Sequence, residues 1–85
     1  MTIRSIEIDG HAGTITIART DAGALVTAGN QVAFEMRRDE PREARFARAY
    51  EAAKVIYGRD RKGRCAATNS MIHEVWTELD RVAGC

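Results

Sequence analysis

The spacing of hydrophobic residues changes near residue 38, and this change constrains the fold more than any other feature of the sequence. Before it, apolar residues recur at every second position, as in Ile15 and Ile17, which is typical of a strand with one buried face. After it, they recur three and four positions apart, which is typical of amphipathic helices. Strands followed by helices predict an α+β domain, with the helices packed on one face of the sheet.

Turn signals divide the first part of the chain into four strands. Gly10 and Gly13 lie in a loop suited to a hairpin, Thr-Asp-Ala-Gly at residues 20–23 is a second turn signal, and Gly29-Asn30 suits a two-residue turn. The third strand has the weakest alternation. We therefore predict an antiparallel meander with strands at about residues 2–9, 13–20, 24–28 and 31–37.

Two helices should follow this sheet. Asp39 can cap the first, with Pro41 in its first turn, and Gly58 should end it. Residues 68–70 offer caps for the second, which Gly84 should end. The predicted helices cover about residues 40–57 and 68–83.

Apolar side chains on these elements should form the core. In the fourth strand Val32, Phe34 and Met36 alternate, so all three are expected on one face. The helical stripes consist of Phe46, Ala49, Tyr50, Ala53, Ile56 and Tyr57, and of Ile72, Val75, Trp76, Leu79, Val82 and Ala83. We therefore expect Trp76, Phe34 and Phe46 to pack between the layers rather than to stack on bases.

Composition predicts one domain covering residues 1–85, because 45% hydrophobic and 29% charged residues are globular proportions. No stretch approaches the roughly 18 apolar residues of a membrane span, and the N-terminus lacks an apolar signal region. We expect a cytoplasmic protein. Arginine outnumbers lysine 11 to 2 and alanine occurs 14 times. Since both have GC-rich codons, a bacterial protein, or a phage product in a bacterial host, is expected.

Residues that could carry catalysis do not form a recognisable motif. Cys65, Cys85, His11 and His73 lack the spacing of a local zinc site, and the two cysteines are predicted to be free thiols. Neither serine lies in G-x-S-x-G, and no phosphate-binding glycine motif occurs. We predict no enzyme activity, metal or cofactor. The enzymatic alternative is a thiol enzyme with Cys65 as nucleophile and His73 as base.

Charge is unevenly distributed along a chain whose net charge is only +1. Residues 37–64 hold ten Arg or Lys against five Asp or Glu, a net +5, whereas the segments on either side each carry −2. The cationic residues form two clusters, about 25 Å apart by the rise of the first helix. The first cluster is Arg37, Arg38, Arg42, Arg45 and Arg48, and the second is Arg59, Arg61, Lys62 and Arg64.

These two clusters carry our prediction of function. The planar arginine fork favours paired contacts with carboxylate or phosphate. We predict a small non-enzymatic interaction protein that binds, and modulates or inhibits, an acidic protein surface or a nucleoprotein complex. Its size and genome composition, but no motif, favour a phage or mobile-element anti-defence inhibitor of the anti-CRISPR kind.

Three alternatives remain open from the sequence. The first is a nucleic-acid-binding accessory protein that uses the same basic patches. The second is a solvated helix face in which Asp39, Glu40, Glu43 and Glu51 neutralise the arginines, without any partner. In the third, the edge strands of an open meander support a homodimer.

Overall fold

The computed structural model describes residues 5–84, which form one antiparallel sheet followed by two helices. The elements are β1 (Ser5–Gly10), β2 (Gly13–Arg19), β3 (Gly23–Ala28), β4 (Gln31–Arg37), α1 (Arg42–Tyr57) and α2 (Asn69–Ala83). The sheet order β1-β2-β3-β4 confirms the predicted meander and the α+β class. The predicted beginning of the first strand, before residue 5, and Cys85 lie outside the described residues. Neither α1 nor α2 is long and apolar enough to span a membrane.

Register places the apolar residues of the strands on one face. Ile17 pairs with Ile6 on one side and with Val26 on the other. Ile17 and Val26 are fully buried, as is Met36 on β4. β3 therefore lies in the interior of the sheet although its sequence alternates weakly. Both helices cover this inner face, and the core lies between the two layers.

A β-bulge changes the phase of β4. Val26 pairs with Phe34, but the next residue, Thr27, pairs with Val32, so Ala33 is passed over. Val32 consequently lies on the same outer face of the sheet as its pairing partner Thr27, and it is 64% exposed. The expectation that Val32 shares a face with Phe34 and Met36 is wrong, because strict alternation does not account for an inserted residue.

The beginning of α1 also differs from its prediction. The helix starts at Arg42 rather than near residue 40, Pro41 is its N-cap residue, and no side chain caps it. Asp39 lies two residues before the cap, and its carboxylate binds Arg37 instead. The cap assignment failed because Pro41 adopts an extended ψ of 156°, which keeps residues 40 and 41 out of the helix.

The other helix ends agree with the predicted positions. Gly58 is the C-cap of α1 and Gly84, with φ of 85°, is that of α2. Thr68 is the N-cap of α2, and its hydroxyl accepts a hydrogen bond from the Met71 N–H. These caps fix the beginning and the end of α2.

Small residues, rather than aromatic ones, form the centre of the buried face of α1. Its fully buried residues are Ala49, Ala52, Ala53 and Ile56. Phe46 is 36% exposed. Phe34 and Trp76 are half-buried and pack at the edge of the core. Phe34 and Trp76 therefore pack against the core as expected, whereas the expected position of Phe46 between the layers is wrong, because alanines occupy the buried face of α1 and bring the helix close to its neighbours.

The backbone of α1 closely approaches the backbone of the turn that joins β1 to β2. A Cβ atom added at Gly10 would lie 2.1 Å from the Ile56 carbonyl oxygen, which is backbone and cannot rotate away. The Ala12 N–H donates to this same oxygen at 2.9 Å. Gly10 is therefore required by packing.

We predict that Gly10→Ala lowers the free energy of unfolding by about 2 kcal/mol or more, because overpacking forces the backbone to shift. Urea denaturation measures this difference. Gly13→Ala is the matched control, since its added Cβ would lie 3.1 Å from the Val55 carbonyl oxygen and needs only a small adjustment. Equal losses in the two variants would contradict this account of the contact.

Candidate functional site

The first predicted arginine cluster begins with two residues held by intramolecular hydrogen bonds. Arg37 donates to both carboxylate oxygens of Asp39, at 3.1 and 3.2 Å. Arg38 donates to the Ala83 carbonyl at 2.6 Å and to the Asp21 carbonyl at 3.3 Å. Arg38 thus ties the end of α2 to the turn between β2 and β3.

The remaining arginines of this cluster also contact their own chain. Arg45 forms a half-buried ion pair with Asp80 of α2 at 2.7 Å, so it links the two helices. Arg48 lies 3.4 Å from Glu40 and over the ring of Phe34. Arg42 lies 5.2 Å from the centroid of Trp76. Most arginines of the first cluster therefore connect different elements of the fold.

The Arg37–Asp39 pair has a measurable electrostatic signature. The hydrogen bond from Arg37, followed by its positive charge, holds the pKa of the Asp39 carboxyl below its usual value. Because the pKa is depressed in the folded state, the pair stabilises the fold above the unfolded-state pKa of Asp39. This contribution is lost as the pH falls through the folded-state pKa.

We predict that Arg37→Gln raises the pKa of Asp39 toward its usual value, because the cation and its paired hydrogen bonds are removed. A carboxyl-carbon NMR titration of Asp39 measures the shift, with Asp9, which lies far from Arg37 in the sheet, as the internal reference. An unchanged Asp39 pKa would show that Arg37 does not hold this carboxylate in solution.

The second predicted cluster lies on a folded loop, residues 59–64, which we call the cationic loop. An isolated β-bridge joins Arg59 to Cys65 at its base. Across the loop, the Asp60 N–H donates to the Arg64 carbonyl at 2.7 Å, and the Gly63 N–H donates to the Asp60 carbonyl at 3.0 Å. Gly63 has φ of 79°, a left-handed conformation that favours glycine. The loop is therefore a short hairpin of defined shape.

The Asp60 carboxylate holds this hairpin together from inside. Its Oδ1 accepts hydrogen bonds from the Lys62 N–H at 2.9 Å and from the Arg64 N–H at 3.0 Å. Sequence analysis missed Asp60 as a residue that shapes the site. The signal was present, because aspartate followed three residues later by glycine is typical of such a turn.

The cationic side chains of the loop are exposed and lack counterions within residues 5–84. Arg59, Arg61, Lys62 and Arg64 are all exposed. Among the described residues, none of these four side chains forms an ion pair or a cation–π contact. With Asp60 included, the loop carries a net charge of +3. The two predicted clusters therefore differ in the described structure, because the first makes intramolecular contacts and the loop cations make no ion pair.

We predict that Asp60→Ala accelerates amide hydrogen exchange at Lys62 and Arg64, because both N–H groups lose their acceptor. The loop is exposed, so the thermal midpoint should change little. Asp21→Ala, in the exposed turn between β2 and β3, is the matched control and should leave exchange in the cationic loop unchanged. Unaltered exchange in Asp60→Ala would contradict the proposed role of the carboxylate.

An aromatic cluster lies at the opposite end of α1 from this loop. The ring of Phe46 meets Trp76 edge to face at a centroid distance of 5.3 Å, and His73 lies 6.0 Å from Phe46 and 5.6 Å from Trp76. Arg42 covers the Trp76 ring. We call Arg42, Phe46, His73 and Trp76 the aromatic patch. The sequence did not predict this patch, because Phe46 and Trp76 were assigned to the core, His73 to catalysis and Arg42 to the first cationic cluster.

Open depressions on the helical surface lie between the cationic loop and the aromatic patch. One of about 720 Å³ extends from Tyr57 and Asn69 to His73 and Thr77. A second, of about 350 Å³, is lined by His73, Thr77 and Trp76, and a third, of about 360 Å³, lies between Phe46 and Trp76. Neighbouring depressions share lining residues: the first and second share His73 and Thr77, and the second and third share Arg42 and Trp76. We call these three depressions together, from Tyr57 to the aromatic patch, the helical groove.

Carboxylates line the middle of this helical groove. Glu74 and Glu78 border the first depression, and Asp80 borders the second. Glu78 is paired with Arg81, and Asp80 is paired with Arg45. The groove is therefore partly acidic in the middle and aromatic at one end, and the cationic loop begins two residues after Tyr57, beyond its other end.

The candidate catalytic residues are dispersed. Cys65 is a half-buried free thiol next to the cationic loop. His73, the proposed base, packs against Phe46 and Trp76, and His11 packs against Tyr57 at 5.8 Å. Within residues 5–84, no group of three His, Cys, Asp or Glu side chains is placed to hold a metal ion.

In comparisons with known proteins, no family model, no curated protein and no solved structure matched this chain. The geometry and charge of the surface are therefore the observations from which function is inferred.

Proposed function

We propose that this chain is a non-enzymatic interaction protein that binds an acidic surface of a macromolecular partner through the cationic loop. The observation that carries the proposal is the exposed cationic side chains of the loop, which have no counterions among the described residues. They stand on a backbone that the Asp60 carboxylate holds in one shape.

The contrast between the two cationic clusters supports binding over a merely solvated surface. Arginines of the first cluster have ion-pair, hydrogen-bond or ring contacts within residues 5–84, whereas the loop cations have no ion pair among these residues. The ordered backbone of the cationic loop also favours binding, because a loop that is already ordered loses little conformational entropy when it binds a partner. We therefore assign the first cluster to the fold. The proposed interface no longer includes both predicted clusters and consists of Arg59, Arg61, Lys62 and Arg64.

The proposed consequence of binding is modulation or inhibition of the partner. A domain of 85 residues can cover a functional surface of a larger protein or nucleoprotein complex by occupying it. This is the mode of action expected of a phage or mobile-element anti-defence inhibitor in a bacterial host. The genome composition inferred from arginine and alanine usage favours that class.

An acidic protein surface fits the loop better than a nucleic acid does. Double-stranded DNA carries about one negative charge per 1.7 Å along its axis, so phosphates would continue beyond the loop in both directions. On the α2 side they would meet the carboxylates of Glu74 and Glu78. Acidic side chains on a folded partner can instead be confined to the loop.

We predict that neutralising the loop with Arg59→Ser, Arg61→Ser and Arg64→Ser weakens partner binding at least tenfold, about 1.4 kcal/mol. The partner is first captured from a bacterial host lysate by the wild-type protein, purified, and then titrated with each variant by calorimetry. The matched control, Ser5→Glu, Gln31→Glu and Val32→Glu, makes the same change in net charge at exposed positions of the sheet. It should bind within about twofold of wild type.

Equal binding by the loop variant and wild type, with circular dichroism showing both folded, would overturn the proposal. Duplex DNA and RNA are titrated in parallel from 50 to 200 mM salt, where phosphate binding weakens log-linearly. Loop-dependent binding to these nucleic acids that exceeds binding to the captured protein would favour the nucleic-acid alternative.

A further inference from the structure

We infer that the helical groove binds a linear segment of the partner, with acidic residues at the cationic loop and one large apolar side chain on the aromatic patch. This inference rests on the proposed function, because it takes the loop contact as given. It adds a second contact point and specifies the kind of partner that fits both.

The aromatic patch has the composition of a binding hot spot. Tryptophan and arginine are enriched in such sites, which are fully desolvated once the partner is bound. Here Trp76 is half-buried, Phe46 is 36% exposed beside it, and depressions of about 350 and 360 Å³ flank the Trp76 ring. An apolar side chain entering either depression would bury aromatic surface that the fold leaves in water.

The spacing of the two contact points sets the length of the bound segment. Phe46 and Tyr57 are 11 residues apart on α1, about 17 Å by helical rise, and the cationic loop begins two residues after Tyr57. An extended peptide covers this distance with about five residues. The apolar anchor should therefore lie about five or six residues from the acidic group.

Charge along the groove sets the order of residues in the segment. Carboxylates are favourable opposite the cationic loop and unfavourable beside Glu74 and Glu78. The part of the segment between its acidic group and its anchor should consequently be neutral or polar. A uniformly anionic polymer does not satisfy this pattern.

Geometry at the patch also disfavours stacked nucleobases. Arg42 lies over the Trp76 ring and Phe46 meets it edge to face. Base stacking needs an open ring face, whereas an aliphatic or aromatic side chain can enter beside the ring. A protein segment is therefore the occupant that the patch and the loop favour together.

The test is a selection from a random 12-residue phage-displayed peptide library against the wild-type protein. Retained peptides are synthesised and titrated while the fluorescence of Trp76, the only tryptophan in the sequence, is recorded. Each peptide is also titrated against Phe46→Ser, against Arg42→Ala, against the loop-neutralised variant and against the sheet control described above. Arg42 is exposed, so Arg42→Ala tests the patch even where Phe46→Ser lowers stability.

We expect retained peptides to combine an Asp or Glu group with one Phe, Trp, Leu or Tyr five or six residues away. Their binding should shift Trp76 emission, weaken at least tenfold in Phe46→Ser and in the loop variant, weaken measurably in Arg42→Ala, and remain unchanged in the sheet control.

Other outcomes separate the two proposals. Acidic peptides without an apolar preference, bound equally by Phe46→Ser and Arg42→Ala, would overturn the inference and leave the loop proposal standing. Retained peptides without acidic residues would contradict both. Retention of no peptide above the level of the loop variant would overturn the inference that the partner presents a linear segment.

Discussion

The fold depends on the close contact between the C-terminal end of α1 and the turn joining β1 to β2. Here the Ile56 carbonyl oxygen accepts a hydrogen bond from Ala12, and the absence of a side chain at Gly10 permits the approach. Because buried alanines form the rest of the α1 contact face, the helix lies close against its neighbours along its length. This contact also fixes where α1 ends, and hence where the cationic loop projects.

The same contact explains why the two cationic clusters differ. Near its N-terminus, α1 lies between β4 and α2, so Arg45 and Arg48 meet Asp80 and Glu40 as well as the ring of Phe34. Beyond Gly58 the chain leaves both layers, and the loop folds on its own hydrogen bonds. Loop cations form no ion pair in the described structure, where the Asp60 carboxylate binds backbone N–H groups of the loop instead, and recognition of an outside anion is the role proposed for them.

Sequence periodicity predicted the fold because each strand and helix has one apolar face and a glycine or polar turn at its ends. It misplaced Val32, since a bulge inserts a residue without leaving a mark in the alternation. Periodicity also predicted too deep a burial for Phe46, because it treats large apolar residues in the same way as the small ones that let the helix pack closely. For the site, the charged residues could be predicted, but which of them are paired depends on contacts distant in sequence, such as Arg38 with Ala83.

The bulge in β4 bears on how the sheet behaves in a crowded solution. β4 is an outer strand of this sheet, and one of its edges carries backbone groups without a strand partner in the described residues. A regular edge would offer a template for a strand from another molecule, with growth of a continuous intermolecular sheet as the result. The interruption at Ala33 breaks this template after the first two residues of the strand, so an incoming strand cannot stay in register along its length. The irregularity that exposes Val32 is thus also of the kind that discourages edge-to-edge pairing between sheets.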